Sequence, residues 1–280
     1  MKIIVMKNVL ILFLTACISG LFTGCGTKSD QKSEATDTGT SSDLAEVQKV
    51  VEQEFKYPIP TAYQVTQLLQ DADAAFVLNI TNSVDNVDKY ETQRDKALNL
   101  GIYGADLSYA STYNKQEETR QFLNVSKRLL DELDISNVFD ESVITRVDNN
   151  IDNKDSLITI VTQSFFKTYQ ELNKAGQSKL SFLVVAGSWI EALYITCQLS
   201  ISSEYDKDLM DIIAKQKTSA SRLTELAEEY QDDADIASIL PLLRFMNLTY
   251  GGVNESVALT EGQLNDILNN VELTRNEIIE

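Results

Sequence analysis

Apolar residues recur at three- and four-residue spacing along most of the chain, the periodicity of a helix with one buried face. No strand-like alternation of useful length interrupts it. Asp43 and Glu46 make a cap pair ahead of Leu44, Val47, Val51 and Phe55, and Tyr57-Pro58-Ile59-Pro60 stops that helix. A second starts near Thr61 and carries Val65, Leu68 and Leu69 towards Phe76 and Leu78. Residues 87–113 hold good helix formers and no proline. Phe122, Val125, Leu129 and Leu133 form the next stripe, and residues 136–150 a shorter helix. Ile158, Val161, Phe165 and Leu172 give residues 155–174 one buried face, with Gly176 placed to end it. Residues 180–201 are apolar nearly all round, which suits a central helix. Leu209, Ile213, Leu223, Ala227 and Tyr230 mark one helix or a pair, and residues 239–248 are a short apolar segment with Pro241 near its start. Thr260 and Gln263 form a capping box ahead of Leu264, Ile267, Leu268 and Val271. The pattern predicts an all-α bundle of about eight to ten helices around residues 180–201. No repeat of solenoid period and no linker-like gap occurs in residues 43–280, so one domain is expected there.

Composition agrees with a globular core: 43% of the 280 residues are hydrophobic, with only three prolines to break helices. The formal net charge of -18 repels nucleic acid and anionic lipid as broad-surface partners. Histidine is absent, which removes Ser-His-Asp and Cys-His nucleophiles, imidazole bases and His-containing zinc sites together.

The opening segment is not part of the fold pattern. Lys2 and Lys7 precede the apolar run Val9-Leu10-Ile11-Leu12-Phe13-Leu14, which continues through small and apolar residues to Phe22. These are the proportions of a secretory signal rather than a membrane span. Leu21-Phe22-Thr23-Gly24-Cys25 resembles the lipobox of bacterial lipoproteins, in which the cysteine is acylated and becomes the new N-terminus. Leu14-Thr15-Ala16-Cys17 fits the same pattern, but cleavage there leaves the apolar Ile18–Phe22 remnant on the mature chain. Cleavage before Cys25 leaves a polar tether instead. The organisation expected is a signal peptide at 1–24, a flexible tether at 25–42 with a reach of roughly 20–25 Å, and the helical domain at 43–280. Cys197 is then the one free thiol, and no intramolecular disulfide can form.

Three segments are candidates for chemistry. Gly101-Ile-Tyr103-Gly104-Ala105-Asp106-Leu-Ser-Tyr109 places two glycines in a helix, where each costs about 1 kcal/mol relative to alanine, so something comes close there: a neighbouring helix or a ligand. Asp106 sits in an apolar setting, and so does Glu191, within Ala186–Tyr194. Buried carboxylates must be paired, hydrogen-bonded or protonated. With Tyr103, Tyr109, Trp189 and Tyr194 around them and Arg244 as counter-ion, they would line a small-ligand pocket or supply an acid/base pair. The competing reading is an internal hydrogen-bonded network that specifies packing. Residues 148–155 offer oxygens at positions one, three and five of an EF-hand-like loop, but Asn153 replaces its glycine and Thr159 its glutamate. A polar turn with an Asp cap for the next helix is expected instead, and no metal or other cofactor is implied. Asp155-Ser156-Leu157 resembles the three-residue O-glycosylation acceptor of exported Bacteroidota proteins.

The lipobox-like ending, the Ser/Thr/Asp-rich tether and the GIYGADLSY segment together resemble helical lipoproteins of Bacteroidota, a likeness that brings no activity with it. It implies a lipid-anchored protein of the cell envelope, at the outer membrane, with no catalytic residues assigned. The expected role is a non-catalytic binding or scaffold module for an envelope protein or small ligand. The alternative is a carboxylate-dependent enzyme or small-ligand-binding protein with its pocket around Asp106 and Glu191.

Overall fold

Helix follows helix in the computed structural model, which describes residues 75–135 and 141–280. The elements are α1 (Gln93–Thr112), α2 (Gln116–Glu132), α3 (Glu141–Asn149), α4 (Lys154–Lys174), α5 (Ser178–Ser202), α6 (Lys207–Glu229), α7 (Ala234–Thr249) and α8 (Glu261–Ile279). Short 3-10 helices cover Val84–Lys89 and Tyr250–Gly252, and no strand occurs among the described residues. The expected signal at 1–24, Cys25, the tether and the helices drawn over residues 43–74 lie outside the described residues, as do residues 136–140.

Side chains fix most helix starts. Thr92, Asn153, Asp206 and Asp233 each accept a hydrogen bond from a first-turn backbone N–H of α1, α4, α6 and α7. Thr260 and Gln263 complete the expected capping box of α8. Gly176 follows α4 with a φ of 73°, the left-handed conformation that only glycine adopts without strain.

Two helices share the centre. α5 is the expected apolar one; it is long and apolar enough to cross a membrane, yet 89% of its apolar window is buried by the other helices. Its partner is α1, which is buried continuously from Ala97 to Thr112 although it carries Asn99, Asp106 and several hydroxyls. A helix enclosed on all sides loses its amphipathic stripe, so α1 reads as a helix from its composition but not from its periodicity. α2 and α4 cover one flank of this pair, and α6 and α8 the α5 side, with α7 outside them. The GIYGADLSY segment is where α1 and α5 approach closely, as the helix-packing reading expects.

The boundaries differ from the sequence pattern in three places. Residues 75–83 are not helical, and Val87 belongs to the 3-10 turn begun by Ser83, so residues 76–90 form a strap of irregular chain and 3-10 helix before α1. Of the two readings of residues 207–229, the single helix is the one found. α7 begins at Ala234, ahead of Pro241, because Asp233 caps it. The turn before α4 is polar as expected, but its cap is Asn153 rather than an aspartate.

Candidate functional site

Where α1, α5 and α8 meet beside the strap, polar side chains gather in a buried interior. Glu191, from the middle of α5, and Asp106, from α1, both have 0% exposure. Arg275 reaches them from α8. Its Nε donates to Glu191 Oε2 at 2.5 Å and its Nη2 to Glu191 Oε1 at 2.9 Å, so the carboxylate is gripped by both oxygens. The same Nη2 donates to the Ile80 carbonyl at 3.3 Å, and the guanidinium lies over the Tyr194 ring at 4.4 Å.

Asp106 is held from the strap: the Asn82 N–H donates to its Oδ2 at 3.1 Å. No group donates to Oδ1. Burial, and then the neighbouring Glu191 charge, push the Asp106 carboxyl well above the usual range, while Arg275 and the Asn82 amide pull the other way. Asn82 also donates through Nδ2 to the Tyr90 hydroxyl at 2.9 Å and accepts from Asn86 Nδ2 at 2.7 Å. Asn99 Nδ2 donates to the carbonyls of Asp95 and Ile278, tying the end of α8 to α1. Tyr103 donates to the Ser83 carbonyl at 2.8 Å. Burial raises the Tyr90, Tyr103, Tyr109 and Tyr194 hydroxyls above the ordinary phenol value, so they stay protonated.

Of the seven residues proposed for a pocket, Tyr103, Asp106, Glu191 and Tyr194 come together here. Tyr109 lies at the start of the strap, where its hydroxyl accepts from the Val77 N–H at 2.8 Å and donates to the Val77 carbonyl at 3.2 Å. Phe76 stacks on its ring at 5.1 Å. Trp189 faces α6 instead, donating to Gln216 Oε1 at 3.1 Å. Arg244 is not the counter-ion: it is half exposed and pairs with Glu228, because its position on α7 points outwards. Arg275 takes that role. Its register was legible, since Val271, Arg275 and Ile278 continue the buried stripe of α8. Asn82 carried no such signal, because it lies in a segment without periodicity.

The arrangement engages every carboxylate oxygen of the pair except Asp106 Oδ1. Glu191 has both oxygens engaged, and the hydroxyls and amides around it serve one another or the strap backbone. An acid/base role would need one carboxylate turned towards solvent or a substrate, whereas both point inward. These hydrogen bonds join the residues in an internal network. Residues 148–155 behave in the same way: Asp148 accepts from Arg120, Asp152 from Gln116 at 2.5 Å, and Asn153 caps α4. Ser156, in the glycosylation-like tripeptide, is buried in the first turn of α4.

Comparison with family models, curated proteins and solved structures gives no match to this chain.

Proposed function

We propose that this chain is an exported lipoprotein of the bacterial cell envelope, anchored at the outer membrane by lipid on Cys25, whose helical body is a non-catalytic binding or scaffold module. Export and anchoring rest on the sequence of residues 2–25: two lysines, an apolar run and a small-residue approach to a cysteine. The observation that carries the non-catalytic part is the two-point grip of Arg275 on Glu191. With Asp106 engaged by Asn82 in the same enclosed cluster, the residues that suggested a carboxylate enzyme serve the fold. The partner is an envelope protein or small ligand rather than nucleic acid, given the charge of -18.

Metabolic labelling with a clickable fatty acid tests the anchor. Incorporation is expected in the wild type and in Cys17→Ser, and its loss, with release from the membrane fraction, in Cys25→Ser. Unchanged incorporation and retention in both variants would overturn the proposal.

A further inference from the structure

The strap, residues 76–90, is tied to α1 and α8 and has no helical backbone bonds over its first half, where its polar groups use the buried cluster as their partners. Val77 exchanges two hydrogen bonds with the Tyr109 hydroxyl, and the Ser83 carbonyl accepts from Tyr103. Between them, the Ile80 carbonyl accepts from Arg275 and the Asn82 N–H donates to Asp106. The two central anchors thus end on Arg275 and Asp106, and Arg275 in turn grips Glu191.

We infer that these three side chains form a proton-controlled latch, in which one proton shared between the two carboxylates holds the strap closed and its loss lets the strap open. The cluster holds two carboxylates and one guanidinium, all withdrawn from water. Arg275 spends two N–H groups on Glu191, so the negative charge resides there. A second ionised carboxylate beside it would leave a net negative charge in a medium that cannot solvate it. The proton therefore sits on Asp106 Oδ1, the oxygen that accepts from nothing, and is donated towards Glu191 while Oδ2 goes on accepting from Asn82. Burial and the Glu191 charge favour this protonated form. The ionisable groups facing Asp106 are Glu191 from α5, Arg275 from α8, Tyr90 from the strap, and Tyr103 and Tyr109 from α1 itself.

When the proton leaves, the repulsion between Asp106 and Glu191 is relieved by admitting water. The first half of the strap is the part that yields, because the helices keep their own backbone bonds and residues 76–83 do not. An open strap hydrates Asp106 and returns it to the ordinary aspartate range. Closing therefore takes up one proton between that range and the raised value. Within this window the opening equilibrium grows by up to tenfold per pH unit.

Amide hydrogen exchange of Val77 and Asn82, corrected for the intrinsic pH dependence of exchange, reads that equilibrium between about pH 6 and about pH 8. In the wild-type protein the corrected opening constant should rise with pH while the amides of Leu193 and Ile195 on α5 stay protected. Asp106→Asn, whose amide is a permanent donor to Glu191, should abolish the rise. A flat wild-type profile, an equal slope in Asp106→Asn, or loss of α5 protection in step with the strap would overturn the latch. Should the variant not fold, infrared spectroscopy of the wild type decides: a protonated-carboxyl band is expected at neutral pH, and its absence would overturn the assignment.

Discussion

Gly101 of α1 and Gly187 of α5 each lie against the other helix's backbone. A Cβ on Gly101 would land on the Val184 carbonyl oxygen, and a Cβ on Gly187 on the Leu98 carbonyl oxygen. The obstacle is backbone on both sides, so no side-chain rotation relieves it, and the two central helices would have to separate. Gly101→Ala and Gly187→Ala should each destabilise the protein by about 1–3 kcal/mol, the usual cost of overpacking, even though alanine gains about 1 kcal/mol of helix propensity. Gly104→Ala should cost less, because it meets the far end of the Phe165 side chain and not backbone. Urea denaturation followed by circular dichroism gives the order. Alanine variants at 101 and 187 as stable as wild type would mean that α1 and α5 do not pack through these glycines.

Arg275 and Glu191 predict an asymmetry between breaking a buried pair and replacing it. Arg275→Met strands the Glu191 carboxylate beside Asp106 and should cost about 3–5 kcal/mol. Adding Glu191→Leu removes the stranded charge, and the double variant should recover most of that loss. A double-mutant cycle measured by thermal or urea denaturation checks this. A double variant no better than Arg275→Met would show that the ion pair does not carry the cost.

Tyr109→Phe keeps the stack on Phe76 but removes both hydrogen bonds to Val77. A loss of about 1–2 kcal/mol is expected from two modest hydrogen bonds. Limited proteolysis should show faster cleavage within residues 76–90 while α5 stays intact. Unchanged cleavage of the strap would remove Tyr109 from its anchors.

The legibility of this chain follows from what a helix shows in its sequence. α2, α4 and α6 each pack one face, and their stripes gave their positions to within a few residues. α5 was legible as the interior because its apolar residues run all round. α1 is buried on every side too, but its Asn99, Asp106 and hydroxyls hide this until their partners on other elements are seen. The site divides along the same line. Asp106 and Glu191 stood out because an acid within an apolar run needs an explanation. Arg244 suggests a counter-ion through its run of apolar neighbours, whereas Arg275 is buried by its register on α8. Asn82, 24 residues from Asp106, supplies a backbone N–H, and a backbone donor in a non-periodic strap leaves no trace in composition.

Cys197 offers a direct measure of how tightly α5 is enclosed. It is free, fully buried, and burial raises its thiol above the ordinary value. Thiol reagents need both access and thiolate, so the closed protein supplies neither. Labelling must then pass through an opening of the bundle, whose population is roughly 10⁻³ to 10⁻⁶ for a marginally stable domain. In a Cys17→Ser, Cys25→Ser background, labelling of Cys197 by a disulfide reagent should be slower in buffer than in denaturant by a factor on that order. The same assay ties the core to the glycine notch: about 1.4 kcal/mol lost through Gly101→Ala should speed labelling about tenfold. If Cys197 reacts in buffer as fast as it does in denaturant, α5 is not the interior helix, and the close approach of α1 cannot be what holds the body together.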